Sequence, residues 1–166
     1  QTCTEFSHGD KNLQKFKLRL TGPFEKVGLD VIGPLRKTES GNRFIVTAID
    51  HLSRWGEARA IKKKSAKNIA LFIWEEIILR HGPPARILTD QGAEFMNRVV
   101  EKLCQMVGSK KTYTSAYNPK CNGACERFNR SLMEKLIKIC NKDADDWDEV
   151  LPIALYCYRR CPIGRL

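Results

Sequence analysis

The sequence predicts an α/β domain: a mixed five-stranded sheet with helices packed against it. Three observations carry this expectation. Two apolar, strand-like runs flank a Ser40-Gly41-Asn42 turn, so the sheet opens as an antiparallel hairpin. Beyond residue 64 the apolar period lengthens, and short strands alternate with helices in the manner of parallel crossovers. The chain's 166 residues, 42% of them hydrophobic, suffice for one domain with its own core and leave little room for a second.

The elements follow in order. Residues 1–22 are polar and basic (Lys11, Lys15, Lys17, Arg19) and read as a linker or arm. Val27, Leu29 and Val31 alternate through Lys26–Ile32, and Gly33-Pro34 closes that strand. Residues 43–50 (RFIVTAID) are almost continuously apolar, as expected of a central strand buried on both faces. Residues 55–61 make a third strand. Ser65 caps a helix running to Arg80, with Ile69, Ile73 and Ile77 on one face, and His81-Gly82-Pro83-Pro84 stops it. A short strand over residues 86–89 ends at Asp90. The next helix carries Phe95, Val99, Leu103 and Val107 and ends at Gly108, and residues 111–115 form the fifth strand. After Asn118-Pro119 and Asn122-Gly123, a helix presents Phe128, Leu132, Leu136 and Ile139. A last helix holds Trp147, Leu151, Leu155 and Tyr158, where Pro152 is a defect unless the helix proper begins there.

Charge narrows the function. Lys plus Arg number 29 against 19 acidic residues, a formal net charge of +10, which points to a polyanionic partner, nucleic acid first. A basic surface with no partner is the plainer alternative. No apolar run approaches the ~18 residues of a membrane span, and the polar start Gln1-Thr2-Cys3-Thr4-Glu5 carries no export signal. A chain opening on Gln1 is expected to be part of a longer protein. Its seven cysteines, an odd number with no export signal, read as reduced thiols in an intracellular compartment. Cys121/Cys125 and Cys157/Cys161 are spaced wider than the usual zinc pair and have no histidine beside them.

Phosphodiester chemistry on polynucleotides needs an anionic cage for divalent metal, so carboxylates in apolar or strand-end settings are the candidates. Asp30 interrupts a strand between Leu29 and Val31. Asp90 ends the Ile87-Leu88-Thr89 strand, and Glu126 opens a helix after the Asn122-Gly123 turn. Held together without metal, the three would repel and titrate high. Each also has a structural alternative: an edge-strand residue facing water for Asp30, an Asx turn or cap for Asp90, and a first-turn acid favoured by the helix dipole for Glu126. Asp50 also ends a strand, but a turn role suffices for it. Spacing alone decides little: an Asp-to-Glu pair with the 35 intervening residues of Asp90 and Glu126 arises by chance in roughly one shuffled chain in three.

The residues around the carboxylates carry more weight. PFEKVGLDVIGPL around Asp30, FIVTAIDHLSRWGEARAI after it, HGPPARILTDQGAEF around Asp90, YNPKCNGACERFNRSL around Glu126 and DWDEVLPIALYCYR near the end together span residues 23–158. They resemble the catalytic core of retroviral and gypsy-class retrotransposon integrases, with the D,D-35-E spacing that the family requires. The resemblance implies a ribonuclease H-like fold and a catalytic core over residues 23–161, with a tail over 162–166. It implies Asp30, Asp90 and Glu126 as catalytic metal ligands for Mg²⁺ or Mn²⁺, two ions in all. The implied reactions are 3′-end processing of element DNA and strand transfer into target DNA, by a homodimer or larger assembly in the nucleus.

The E-R-F-N-R motif places Asn129 and Arg130 one turn beyond Glu126, positions the family uses for DNA, and Tyr117 and Lys120 in the preceding loop join them. Gly92 and Gly123 read as sources of backbone freedom. Lys62, Lys63, Lys64 and Lys67 form a basic run or a solvated helix entry. Asn118, Lys120 and Ala124 depart from the residues usual in the family and bear on substrate preference. Two other readings stand beside the active integrase core: a host-domesticated relative that binds DNA or protein without catalysis, and a ribonuclease H-like nuclease outside the family.

Overall fold

The computed structural model describes residues 22–114, 123–141 and 143–161. The expected arm, Gly22 apart, and the expected tail lie outside them. Five strands form one sheet: β1 (Lys26–Ile32), β2 (Phe44–Asp50), β3 (Gly56–Ile61), β4 (Arg86–Thr89) and β5 (Lys110–Tyr113). Their spatial order is β3-β2-β1-β4-β5. The first three run antiparallel, while β4 and β5 run parallel to β1. This mixed sheet is what a hairpin meander followed by helical crossovers produces. β1 lies at its centre, so the edge-strand alternative for Asp30 falls.

Strand alternation divides the core in two. Val27 and Leu29 of β1, with Val46 and Ala48 of β2, face a layer containing Ile69, Phe72, Ile73, Ile77, Val100 and Cys104. That layer is built from α1 (Ala66–Phe72), a π-helical stretch over Ile73–Ile78, the closing turn α2 (Leu79–His81) and α3 (Arg98–Met106). Ile45 and Ile49 of β2 face the opposite layer, made by α4 (Gly123–Ile139) and α5 (Trp147–Arg160). β2 is thus buried on both faces, as its unbroken apolar run requires. Among the described residues no helix is long and apolar enough to cross a membrane.

Local chemistry sets the ends of the elements. The Ser65 side chain accepts from the Asn68 N–H and caps α1. Gly82, at φ +86° and ψ 167°, takes a positive-φ conformation open to glycine that ends α2. The second helix corrects the sequence reading. It starts at Arg98, capped by Asn97 through the N–H groups of Val99 and Val100, so Phe95 is buried from the turn before it. The core face therefore falls on Val100 and Cys104, and Val99 is 51% exposed. The last helix begins at Trp147, not at Pro152. Pro152 sits inside it on the solvent side, where a missing N–H costs one helix bond and no core contact.

A buried carboxylate on β3 ties the edge of the sheet to the helices. Glu57, 1% exposed, accepts from Trp55 Nε1 at 2.9 Å and from Arg80 at 3.2 Å. It also meets a His81 ring nitrogen at 2.9 Å and Arg159 of α5. Arg159 stacks over Trp55 at 4.4 Å. A buried acid with this many charged partners is satisfied structure, not free chemistry.

Candidate active site at the carboxyl end of the central strands

β1 pairs with β4 in parallel, with Gly28 level with Leu88. The same offset carried two residues further would set Asp30 level with Asp90, and the Asp90 charge does act on Asp30, so the two carboxylates are neighbours at one end of the sheet. The third comes from α4. Asn129 in its second turn donates to Asp30 Oδ2 at 2.8 Å, which seats the start of the helix over β1 and places Glu126 one turn back. The Asp30 carboxyl titrates above the usual carboxylate range. Burial is the largest cause, and the charges of Asp90 and Glu126 push the same way; bonds from the Val31 N–H and Asn129 oppose them. Repulsion from the other two carboxylates is therefore felt at Asp30, second to its burial.

The remaining geometry is specific to each residue. Asp30 Oδ1 accepts from the Val31 N–H at 2.7 Å. Asp90 Oδ1 accepts from the Gly92 N–H at 2.9 Å, so the turn role weighed for Asp90 is real and fixes its carboxylate. Glu126 is exposed in the first turn of α4. Among the described residues no three His, Cys, Asp or Glu side chains stand close enough together to ligate a metal. Asn129 commits one amide hydrogen to Asp30 and its oxygen to Thr47, and Arg130 is exposed one residue on. Tyr117 and Lys120 lie outside the described residues.

Two neighbours escaped the sequence reading. Glu94 lies four residues after Asp90. A Cβ on Gly92 would stand 2.9 Å from Glu94 Oε2 and 3.0 Å from Asp90 Oδ1. Gly92 thus serves close approach of two carboxylates, not a left-handed backbone, and its counterpart Gly123 likewise has no positive φ. Lys64 offsets Glu94 at 3.3 Å, which takes it out of the free basic run. Thr47 is the second. It faces Asp30 across the β1–β2 ladder and is 1% exposed. A lone hydroxyl in a strand buried on both faces must find a partner, and that was the signal available in the sequence.

Behind the site, α4 approaches the sheet closely at Gly28, where a Cβ would meet Cys125 Sγ at 2.5 Å and His51 Nε2 at 3.0 Å. Burial pushes the Cys125 thiol up to about 12, so it stays a protonated thiol at neutral pH. The five described cysteines, Cys104, Cys125, Cys140, Cys157 and Cys161, are free thiols. Asp50 Oδ2 accepts from the Ser53 N–H and hydroxyl at 2.7 and 2.6 Å, the expected turn role.

His51 is held down to about 4 by burial and by the charges of Lys26 and Arg54, with Asp50 opposing. The sign follows from linkage. The unfolded ring protonates near 6.5 and the folded ring near 4, so this stabilisation is complete above 6.5 and is lost as pH falls to 4. Discounted for the solvent-exposed part of the ring, the loss is about 1–2 kcal/mol. Melting curves from pH 7 to 4 should fall more steeply for the parent than for His51→Asn. Parallel curves would remove His51 from the acid response.

Comparison with known proteins agrees with this geometry. The family model described as Integrase core domain matches residues 21–119. The Retrovirus-related Pol polyprotein from transposon 412 of Drosophila melanogaster is 37% identical over 135 residues, 81% of this chain and 11% of that protein. The Gag-Pol polyprotein of Avian reticuloendotheliosis virus is 32% identical over 166 residues, 98% of this chain and 14% of that protein. The chain therefore spans a small fraction of the length of these relatives. The crystal structure of the catalytic core domain of BIV integrase superposes with a TM-score of 0.69 at 26% identity, covering 86% of this chain and 88% of that one. The sheet order described above is thus a ribonuclease H-like one, and a family match that runs through both Asp30 and Asp90 leads to one conclusion: the chain belongs to the integrase core family found in retroviral and retrotransposon Pol polyproteins.

Proposed function

We propose that this core catalyses metal-dependent 3′-end processing of element DNA and transfer of the resulting 3′-hydroxyl into target DNA. The observation that carries the reading is the meeting of Asp30 and Asp90 at the carboxyl ends of parallel strands, with Glu126 close enough to raise the Asp30 pKa. Like charges gathered in this way need a cation, and carboxylate oxygens suit a hard one, Mg²⁺ or Mn²⁺. Asp30, Asp90 and Glu126 would hold it, with two ions expected. When bound, the metal supplies activation of the attacking oxygen and charge neutralisation at the leaving oxygen.

The chain's own residues do the positioning. The Val31 N–H and Asn129 hold the two oxygens of Asp30, and the Gly92 N–H holds Asp90. Arg130, exposed one turn beyond Glu126, is placed to contact a DNA phosphate. Lys62, Lys63 and Lys67 are exposed at the sheet end where β1 and β4 finish, which extends a positive surface toward a bound duplex. DNA ends and target DNA are the proposed partners, a homodimer or larger assembly of cores the proposed working form, and the nucleus the proposed compartment.

The test is resolution of a branched DNA substrate with Mg²⁺ or Mn²⁺, run beside metal-dependent melting. Turnover with a metal-dependent rise in melting temperature supports the reading. Absence of both would overturn it in favour of a domesticated binding module. Arg130→Ala should weaken DNA binding uniformly across sequences and reduce the log–log salt slope by about one. An unchanged slope would count against a phosphate contact at Arg130.

A further inference from the structure

We infer that Thr47, which lies outside the acidic triad, positions Asp30 through Asn129 and so sets how that carboxylate is presented to a divalent cation. The inference rests on the metal-binding reading above. Asp30 and Thr47 are direct cross-strand partners, and such partners share one face of a sheet. That face lies under α4. The Thr47 hydroxyl donates to Asn129 Oδ1 at 2.9 Å, with the Asp30 carbonyl a weaker acceptor at 3.3 Å. Asn129 Nδ2 then donates to Asp30 Oδ2 at 2.8 Å. The result is a directed chain from hydroxyl to amide to carboxylate.

Polarity is what gives Thr47 its role. An amide can sit in two flipped orientations of nearly equal shape. With Thr47 donating, Asn129 must turn its oxygen toward β2 and its N–H toward Asp30. The flipped form would set an amide oxygen against the carboxylate and leave Asp30 Oδ2 without its donor. Removing the hydroxyl therefore loosens the Asp30 carboxylate indirectly, through Asn129. Because Asn129 lies one turn from Glu126, the same link also fixes the segment of α4 that carries the third carboxylate. The side chains flanking Thr47 on this face of β2, Ile45 and Ile49, are aliphatic. A valine would fill the Thr47 site equally well and would lack only the hydroxyl and its contacts to Asn129 and the Asp30 carbonyl.

Mn²⁺ titration of the full chain, followed by electron paramagnetic resonance, measures the effect without relying on turnover. Thr47→Val should weaken Mn²⁺ binding about ten-fold, as loss of a group that orients a metal ligand does, and Thr47→Ser should restore it to within about three-fold of the parent. On an Asn129→Ala background Thr47→Val should have no further effect, because the link is already cut. If the valine variant folds poorly, the serine variant and Thr47→Ala, compared below their melting temperatures, give the same contrast. Parent-like binding by Thr47→Val, failure of serine to rescue, or additive losses in the double variant would each overturn the inference while leaving the metal site intact. A parent chain that binds no Mn²⁺ would overturn the inference and the metal-binding reading together.

Discussion

Glu126→Gln is expected to lower metal-dependent turnover on branched DNA by about a thousand-fold, roughly 4 kcal/mol in the barrier, while the metal-free protein melts within a few degrees of the parent. The two halves of this expectation have separate causes. Glu126 is exposed at the start of α4 and makes no hydrogen bond or ion pair among the described residues. Its contribution to the fold is a favourable charge at a helix N-terminus, about 0.3–1 kcal/mol. Losing it is offset by relief of the repulsion it exerts on Asp30. Glutamine keeps the shape and the helix propensity, so the folded state has little to lose.

On the proposed reading, chemistry depends on Glu126 in a different way. A neutral amide is a poor ligand for a hard dication, and the site would fall from three anionic ligands to two. The metal-dependent rise in melting temperature should shrink along with the rate, since a ligand that binds only the folded state stabilises it in proportion to its affinity. Retained turnover in Glu126→Gln would remove Glu126 from the site and reduce the 35-residue spacing to coincidence. A variant that loses turnover and unfolds would show that the exposed carboxylate has a structural partner.

Periodicity made most of the fold legible. Alternation of Val27, Leu29 and Val31 gave β1, and the apolar run through β2 announced burial on both faces. Ladder register was not legible, because it depends on partners far along the chain. Nothing local says that Asp30 faces Thr47, or that the Gly28–Leu88 pairing makes Asp30 and Asp90 neighbours. The face of α3 differs by one position from the one the apolar spacing predicts, since a helix rotates about 100° per residue and this one begins after the Asn97 cap, not at Phe95. The π-helical stretch after Phe72 was invisible for a similar reason: Ile69, Ile73 and Ile77 match ordinary helical spacing, and one extra residue per turn leaves no mark on composition. At the site, the carboxylates stood out because acids in apolar strands are costly. Thr47 did not, because threonine is an ordinary strand residue and its partner Asn129 lies 82 residues on.

Gly56→Ala is the second large effect expected, and it tests how closely α4 must sit on the sheet. A Cβ at Gly56 would stand 2.4 Å from both Cε2 and Cζ of Phe128. The Phe128 ring is 2% exposed and packs against Tyr158 with centroids 4.7 Å apart, so it has nowhere to withdraw. The Gly56 carbonyl accepts from Arg159 Nε at 3.0 Å and Nη2 at 2.8 Å, which ties the strand to α5 as well. Overpacking of this kind costs about 1–3 kcal/mol, offset by up to ~1 kcal/mol from the stiffer unfolded chain. A net loss of about 2 kcal/mol corresponds to a melting temperature lower by roughly 4–8 °C for a chain of this size. Phe128→Leu removes the ring atoms in the way, so the double variant should lose less than the two single losses combined. Melting of Gly56→Ala within a degree of the parent would show that α4 can lift without cost. The consequence for function is sharper than for stability. Phe128 is two residues from Glu126 and adjacent to Asn129, so a helix lifted by even 1 Å carries both away from Asp30, and a misplacement of that size costs about a hundred-fold in rate. Turnover of Gly56→Ala should therefore fall further than its folded fraction, because the glycine under Phe128 sets the distance between the helix-borne carboxylate and the two at the ends of the strands.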